Sequence, residues 1–217
     1  MAWDVERTKR LLLDAAVAEF SAYGLAGARV DRIATAAGVN KERIYKYFGT
    51  KDQLFETVID REIGDLDDVV HLEGEGVAAV VDYAERFFDH VCDTPTLARL
   101  LLWEGLELGV PVAEPIRRKG MHRKVTDIHR AVPELSESAA REVLLTILSL
   151  CYSWQVLPTL DRLAAGDSTP GGTRRAQRRA AVGRTVAAAV DAEQAAEHAD
   201  RIEVRPRAGR RGVAGSG

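Results

Sequence analysis

The sequence predicts an all-α protein: an amino-terminal three-helix unit followed by a larger helical body, about nine helices in total. Three observations carry this. Apolar residues recur at three- and four-residue intervals along the chain. Strict apolar/polar alternation and hairpin dipeptides are missing, and glycines, prolines and capping residues fall at helix-length intervals. At 217 residues, 46% hydrophobic and 29% charged, the chain can bury one ordinary core plus a small second one.

The first helix spans Asp4 to Tyr23, with Leu12, Ala15, Ala16 and Phe20 on one face and Gly24 as its stop. Val30 to Ala37 forms a short second helix, ended by Gly38, and Asn40 caps a third that runs to about Tyr47. Thr50-Lys51-Asp52-Gln53 spells a capping box, which starts a fourth helix toward Val70. Gly74 and Gly76 separate it from a fifth, Val77 to Val91. Thr94 and Pro95, as N-cap and first helical residue, open a sixth that ends at Gly109. Pro111 to Ala131 is a more polar seventh helix with a soft spot at Gly120. Ser136 caps an eighth, so apolar on all sides that it must be buried nearly all round, and Pro158 must kink or end it. A loop at 167–172 leads to an alanine-rich ninth helix from Thr173 to about Ala196, and residues 197–217 read as a disordered basic Gly/Arg tail. The expected division is 1–50, 51–196 and 197–217, with the fourth helix connecting the first two.

Several function classes are excluded. The longest apolar stretch, Val143 to Leu157, is interrupted by polar residues and is shorter than the roughly 20 residues a span needs, and MAWDVERTKR lacks a signal core, so a cytoplasmic protein is expected. Cys92 and Cys151 show no metal or disulfide spacing and read as core residues. His122 and His129 share a helical face but stand about 10.5 Å apart along it, too far to chelate one metal. No Gly-rich phosphate loop, GxSxG or HExxH motif is present, so neither an enzyme nor a cofactor is expected. Charge is uneven. Residues 1–51 hold nine Lys and Arg against six Asp and Glu, whereas the chain as a whole is at -3, which suits a nucleic-acid-contacting head on an acidic body.

The segment AGARVDRIATAAGVNKERIYKYFGTKDQLFETVI is the most informative. Two short helices joined by Ala-Gly-Val-Asn are followed by an aromatic exit, Tyr45, Tyr47 and Phe48, and then by Lys51. This pattern, in register from about Arg7 to Asp60, resembles the helix-turn-helix of TetR-family transcriptional regulators. The third helix is poor core material: Ile44 faces inward, while Lys41, Arg43, Tyr45, Lys46 and Tyr47 supply long polar or aromatic side chains that suit a major groove. Phe48 is assigned to packing. Lys51 stands at a helix start, where the dipole disfavours a cation unless a phosphate binds there too, and the resemblance implies that contact. Arg29 stands where the family commonly has a capping threonine; it cannot cap, but it can donate to the DNA backbone. Arg29, Asn40, Lys41, Arg43, Tyr45, Lys46, Tyr47 and Lys51 are therefore the candidate DNA contacts.

For the body, the resemblance implies only a helical effector-binding and dimerisation domain. Phe87, Phe88, His90, Leu101, Trp103, Tyr152 and Trp154 come from helices that can surround one cavity, and aromatic walls suit an apolar or aromatic ligand. Core packing is the competing role for each aromatic, and a satisfied partly buried histidine for His90. The expectation is a ligand-released repressor binding double-stranded DNA at a palindromic operator. Its homodimer interface is assigned to the eighth and ninth helices, with Val182, Val186, Ala189 and Val190 as the ninth helix's stripe. The alternative is a DNA-binding protein controlled by a protein partner, with no small-molecule effector.

Overall fold

The computed structural model describes residues 2–165 and 171–203, and within these the chain forms ten α-helices and no strands. The head comprises α1 (Ala2–Gly27), α2 (Val30–Ala37) and α3 (Glu42–Phe48). The body comprises α4 (Lys51–Val69), α5 (Gly76–Asp93), α6 (Thr96–Glu107), α7 (Glu114–Ala131), α8 (Glu137–Val156), α9 (Pro158–Ala165) and α10 (Gly171–Glu203).

Most boundaries follow from local chemistry. Gly24, at φ 68°, breaks α1 in a conformation that a side chain rarely adopts, and one more turn runs on to Gly27. Gly38, also left-handed, ends α2 with amide bonds from Gly38 and Val39 back to Thr35 and Ala34. The capping box of α4 is complete: Thr50 Oγ1 accepts from the Gln53 amide, and Gln53 Oε1 accepts from the Thr50 amide. Ser136 caps α8 by accepting from the Ala139 amide.

Three expectations change. Thr94 does not cap the sixth helix: its hydroxyl turns back to donate to the His90 carbonyl at 2.7 Å, which closes α5. Pro158 ends α8 rather than kinking it, and starts an additional short helix, α9, bent from α8 by 85°. The last helix runs to Glu203, so residues 197–203, assigned to the tail, are helical. The remaining tail, 204–217, and residues 167–170 of the expected loop lie outside the described residues, while 171–172 of that loop already belong to α10.

Two apolar cores result. Leu12, Phe20, Ile33, Ile44, Leu54 and Phe55 close the head around the first turns of α4, with the Phe20 and Phe55 rings edge to face at 5.1 Å. The body core joins α4, α5, α7, α8 and α10 through Phe87, Phe88, Ile128, Ile147 and their neighbours. Val182, Val186 and Val190, assigned from sequence to a subunit interface, are buried here. A long α10 follows α5 because Arg175 and Arg179 pair with Asp89, Asp93 and Glu85, and because Gly183 permits close approach: a Cβ there would lie 2.4 Å from Glu85 Oε1. Among the described residues no single helix is long and apolar enough to cross a membrane.

Candidate nucleic-acid interface and effector cavity

Ile44 is fully enclosed and anchors α3, so the opposite face of this short helix is turned outward. Lys41, Arg43, Tyr45 and Lys46 are exposed there. Lys41 holds Asp31 of α2 at 3.1 Å, a contact that raises its pKa and ties α3 to α2 across the turn. Asn40 Oδ1 accepts from the Glu42 amide at 3.2 Å, but the cap position of α3 is held by Lys41, which makes no side-chain cap hydrogen bond, so the expected Asn40 cap lies one residue ahead of the helix start. Tyr47 is half-buried against Phe48, the two rings edge to face at 6.4 Å, and both pack on the head core. Tyr47 is thus shared between packing and surface, whereas Tyr45 is free.

Two anchors were not legible in the sequence. Arg29 supplies no side-chain cap to α2; the start of the helix is held from α1 instead, by Glu19, which accepts from the Arg29 amide at 2.8 Å and from Arg32 Nε at 2.7 Å. Burial favours a protonated Glu19, but the Arg32 hydrogen bond, the Arg29 amide and their charges outweigh it and hold the carboxyl below its usual range. The Arg29 side chain is left exposed. Lys51 is neither free nor fully solvated: half-buried, it donates to the Ala28 carbonyl at 3.3 Å, at the junction of α1 and α2. The ammonium therefore stands beside the exposed start of α2 and that of α4.

In the body, α4, α5, α6, α7 and α8 enclose a cavity of about 450 Å³. Phe87, Leu101 and Tyr152 line it, as expected from sequence, and Phe87 meets Tyr152 edge to face at 5.5 Å. Burial pushes the Tyr152 phenol up, so it stays a neutral hydroxyl. The other four candidates are elsewhere. Phe88 and Trp154 pack on each other in the core, and Arg174 and Arg178 lie over the Trp154 ring. His90 lines a separate small cleft with Glu62 and Asp65. Trp103 faces the head: its indole Nε1 donates to the Ser21 carbonyl at 3.3 Å.

The sequence missed most of the cavity wall. Asp60, Arg61, Ile63 and Asp67 come from α4, and Ile116, Arg117, Met121 and Lys124 from α7, a helix read as merely polar. The available signal was Gly64 and Gly120, each inside a helix: both line the cavity, where a missing side chain leaves room. Three of the charges on this wall are paired. Lys124 forms an ion pair with Asp67, which Arg123 also contacts at 2.8 Å; Arg117 meets Glu104 of α6 at 2.5 Å, and Glu104 is only 5% exposed.

Helix α6 has two working faces. Arg99, Trp103 and Glu107, spaced by four, grip the end of α1: Arg99 and Trp103 donate to the Ser21 carbonyl, and Glu107 accepts from the Ala26 amide at 2.9 Å. Leu101 and Glu104 face the cavity and its Arg117. The fourth helix is therefore not the sole connector between head and body.

Residues 12–58 match the family model described as bacterial regulatory proteins, tetR family, and residues 79–188 match the tetracyclin repressor-like C-terminal domain. The chain is 35% identical to the HTH-type transcriptional repressor SCO4008 of Streptomyces coelicolor, over 83% of this chain and 96% of that one. It is 28% identical to the HTH-type transcriptional repressor NicS of Pseudomonas putida, over 70% of this chain and 77% of that one. Among solved structures, a putative transcriptional regulator of Streptomyces coelicolor, SCO4942, superposes with a TM-score of 0.68 at 31% identity, covering 82% of this chain and 97% of its own.

Proposed function

This chain belongs to the TetR family of bacterial transcriptional regulators, and from that premise we propose that it is a cytoplasmic repressor, binding a palindromic operator as a homodimer and released by a small, largely apolar or aromatic effector. The observation that carries DNA binding is the outward face of α3, where Lys41, Arg43, Tyr45 and Lys46 stand on a helix anchored by Ile44. Arg43 and Tyr45 reach base edges, while Arg29, Asn40, Lys46, Tyr47 and Lys51 meet the backbone. Lys51 exchanges its Ala28 partner for a phosphate.

Dimerisation uses the outer faces of α8 and α10. Leu145 of α8 is 58% exposed, and α10 presents the exposed Ala180, Ala188 and Ala192, small residues that allow close helix approach. The buried valines of α10 hold it on its own subunit and leave this face outward.

Effector binding rests on the cavity. Its walls are α4, which begins at Lys51, and α6, which grips the end of α1, so an occupant that shifts either helix changes the placement of the head. By linkage, an effector that lowers operator affinity is itself bound less tightly by the DNA complex. The test begins with selection of bound duplexes from a random-sequence library. A two-fold symmetric consensus is expected, with affinity falling steeply as salt rises. Recovery of no consensus, or of an asymmetric one bound by a monomer, defeats the reading.

A further inference from the structure

Resting on the effector-cavity reading above, we propose that the occupant is an organic anion, a carboxylate on an apolar or aromatic body, received by Arg61 in competition with Asp14 of α1. The cavity wall carries three cations, Arg61, Arg117 and Lys124, against two carboxylates, Asp60 and Asp67. Two of the cations are committed. Lys124 pairs with Asp67, and Arg117 is held by the buried Glu104 and by the Val112 carbonyl at 3.2 Å.

Arg61 differs. Its Nη2 is 2.6 Å from Asp14, its Nε is 3.8 Å from Asp65, and its Nη1 is enclosed with no hydrogen-bond partner among the described residues. An enclosed N–H without an acceptor is a standing cost, and a guanidinium presents a planar fork that matches the two oxygens of a carboxylate. A neutral hydrocarbon or a cation in the cavity leaves that donor unsatisfied; a carboxylate that takes the place of Asp14 satisfies it once the guanidinium turns toward the cavity. Asp60 opposes an anion, whereas Asp67 is neutralised by Lys124 and Arg123 and adds little to that opposition. The apolar body lies against Phe87, Leu101, Met121, Leu148 and Tyr152.

Competition with Asp14 gives the anion a route to the head. The Asp14 side chain is 53% exposed, so its pair with Arg61 is a weak surface bridge that an incoming carboxylate displaces at small cost. Asp14 lies between Leu12 and Ala16, both in the head core, so its release loosens the tie between α1 and α4.

The probes are 1-naphthaleneacetate and its neutral counterpart 1-naphthaleneacetamide, titrated calorimetrically into the full chain and into its R61Q and D14N variants. In the unaltered protein the carboxylate binds about ten-fold or more tighter than the amide, as expected of a charge-assisted hydrogen bond. The ratio falls to about one in R61Q. In D14N the carboxylate gains up to about five-fold, the worth of the lost competitor, and the amide does not change. Equal binding of both probes to the unaltered protein, or a preference that survives in folded R61Q, overturns the anion assignment and leaves the cavity reading standing. Should R61Q fail to fold, D14N decides: a gain confined to the carboxylate supports the assignment, and no gain overturns it. If neither probe binds at millimolar concentration, the effector cavity falls with it.

Discussion

Head and body bury their apolar residues differently. In the head, α1 to α3 and the first turns of α4 close on Phe20, Ile33, Ile44, Leu54 and Phe55, all fully enclosed, and a single acidic residue, Glu19, pins the start of α2. The body has the larger core, yet it leaves about 450 Å³ among its helices and places two ion pairs beside that space. A close-packed unit holds one geometry, which a recognition helix needs in order to keep its side chains in register with base edges. A region with internal room and paired charges can repack around an occupant, and discrete repacking is what moves an attached element. The two cores thus correspond to two tasks, reading and switching, joined by α4 and α6.

The sharpest test of that contrast is a matched pair of truncations. Phe55→Ala, in the closed head, is expected to cost about 3–5 kcal/mol, because its ring is fully enclosed against Phe20. Leu101→Ala, on the half-buried cavity wall, is expected to cost only about 1–2 kcal/mol. Urea denaturation of both variants measures the difference; equal costs erase the distinction between the cores.

Glu104→Ala probes the charges beside the cavity. It strands Arg117, 15% exposed, without its carboxylate, and a loss of about 3–5 kcal/mol is expected. The double change Glu104→Ala with Arg117→Met should recover much of it. A double variant no more stable than the single one shows that the pair is not what holds α6 to α7.

The two regions also differ in pH response. Glu19 has a lowered folded pKa, so its stabilisation of the head is present above the ordinary value of 4.5 and is lost as pH falls through the folded value. Cys151 is the reverse. Burial pushes its thiol up to about 12, so its contribution is whole below the ordinary 9.0 and is lost as pH rises toward 12. Melting temperatures of Glu19→Gln and the unaltered chain should therefore converge in acid, and Cys151→Ala should flatten the alkaline decline. A Glu19→Gln deficit that persists unchanged at pH 3 defeats the head assignment.

Gly64→Ala has a smaller effect of opposite sign. A Cβ there meets nothing within 4 Å, so the helix gains about 0.5–1 kcal/mol from the propensity difference. The bulkier Gly64→Leu should fill the cavity and weaken effector binding. Trp103→Ala removes one of the three contacts of the α6 grip; it should speed hydrogen exchange at the end of α1 and leave the affinity of the cavity for its occupant nearly unaltered. An exchange pattern identical to that of the unaltered chain removes α6 as a connector.

Local chemistry made the head legible. The end of α2, the Gly24 and Gly38 stops, the Thr50 cap and the inward Ile44 all follow from signals within four residues of one another. In the body, helix existence was legible for the same reason, but the use of each face was not. Trp103 reads as a cavity aromatic and grips α1 instead; Val182, Val186 and Val190 read as a dimer stripe and pack on their own subunit; Arg61 and Arg117, to which the sequence pattern gives no role, line the cavity.

By itself, the sequence determined the helical class, the positions of most helices and the outward chemistry of α3, because period, capping and glycine stops act over one or two turns of chain. Only the tertiary structure decided which apolar stripe meets which partner, what lines the cavity and how α6 holds the head. Those outcomes depend on pairs such as Glu107 with Ala26 and Arg175 with Asp89, 81 and 86 positions apart. An amphipathic helix records that it must bury a face, not against what, and the choice among partners is made by shape and charge once all the helices are present.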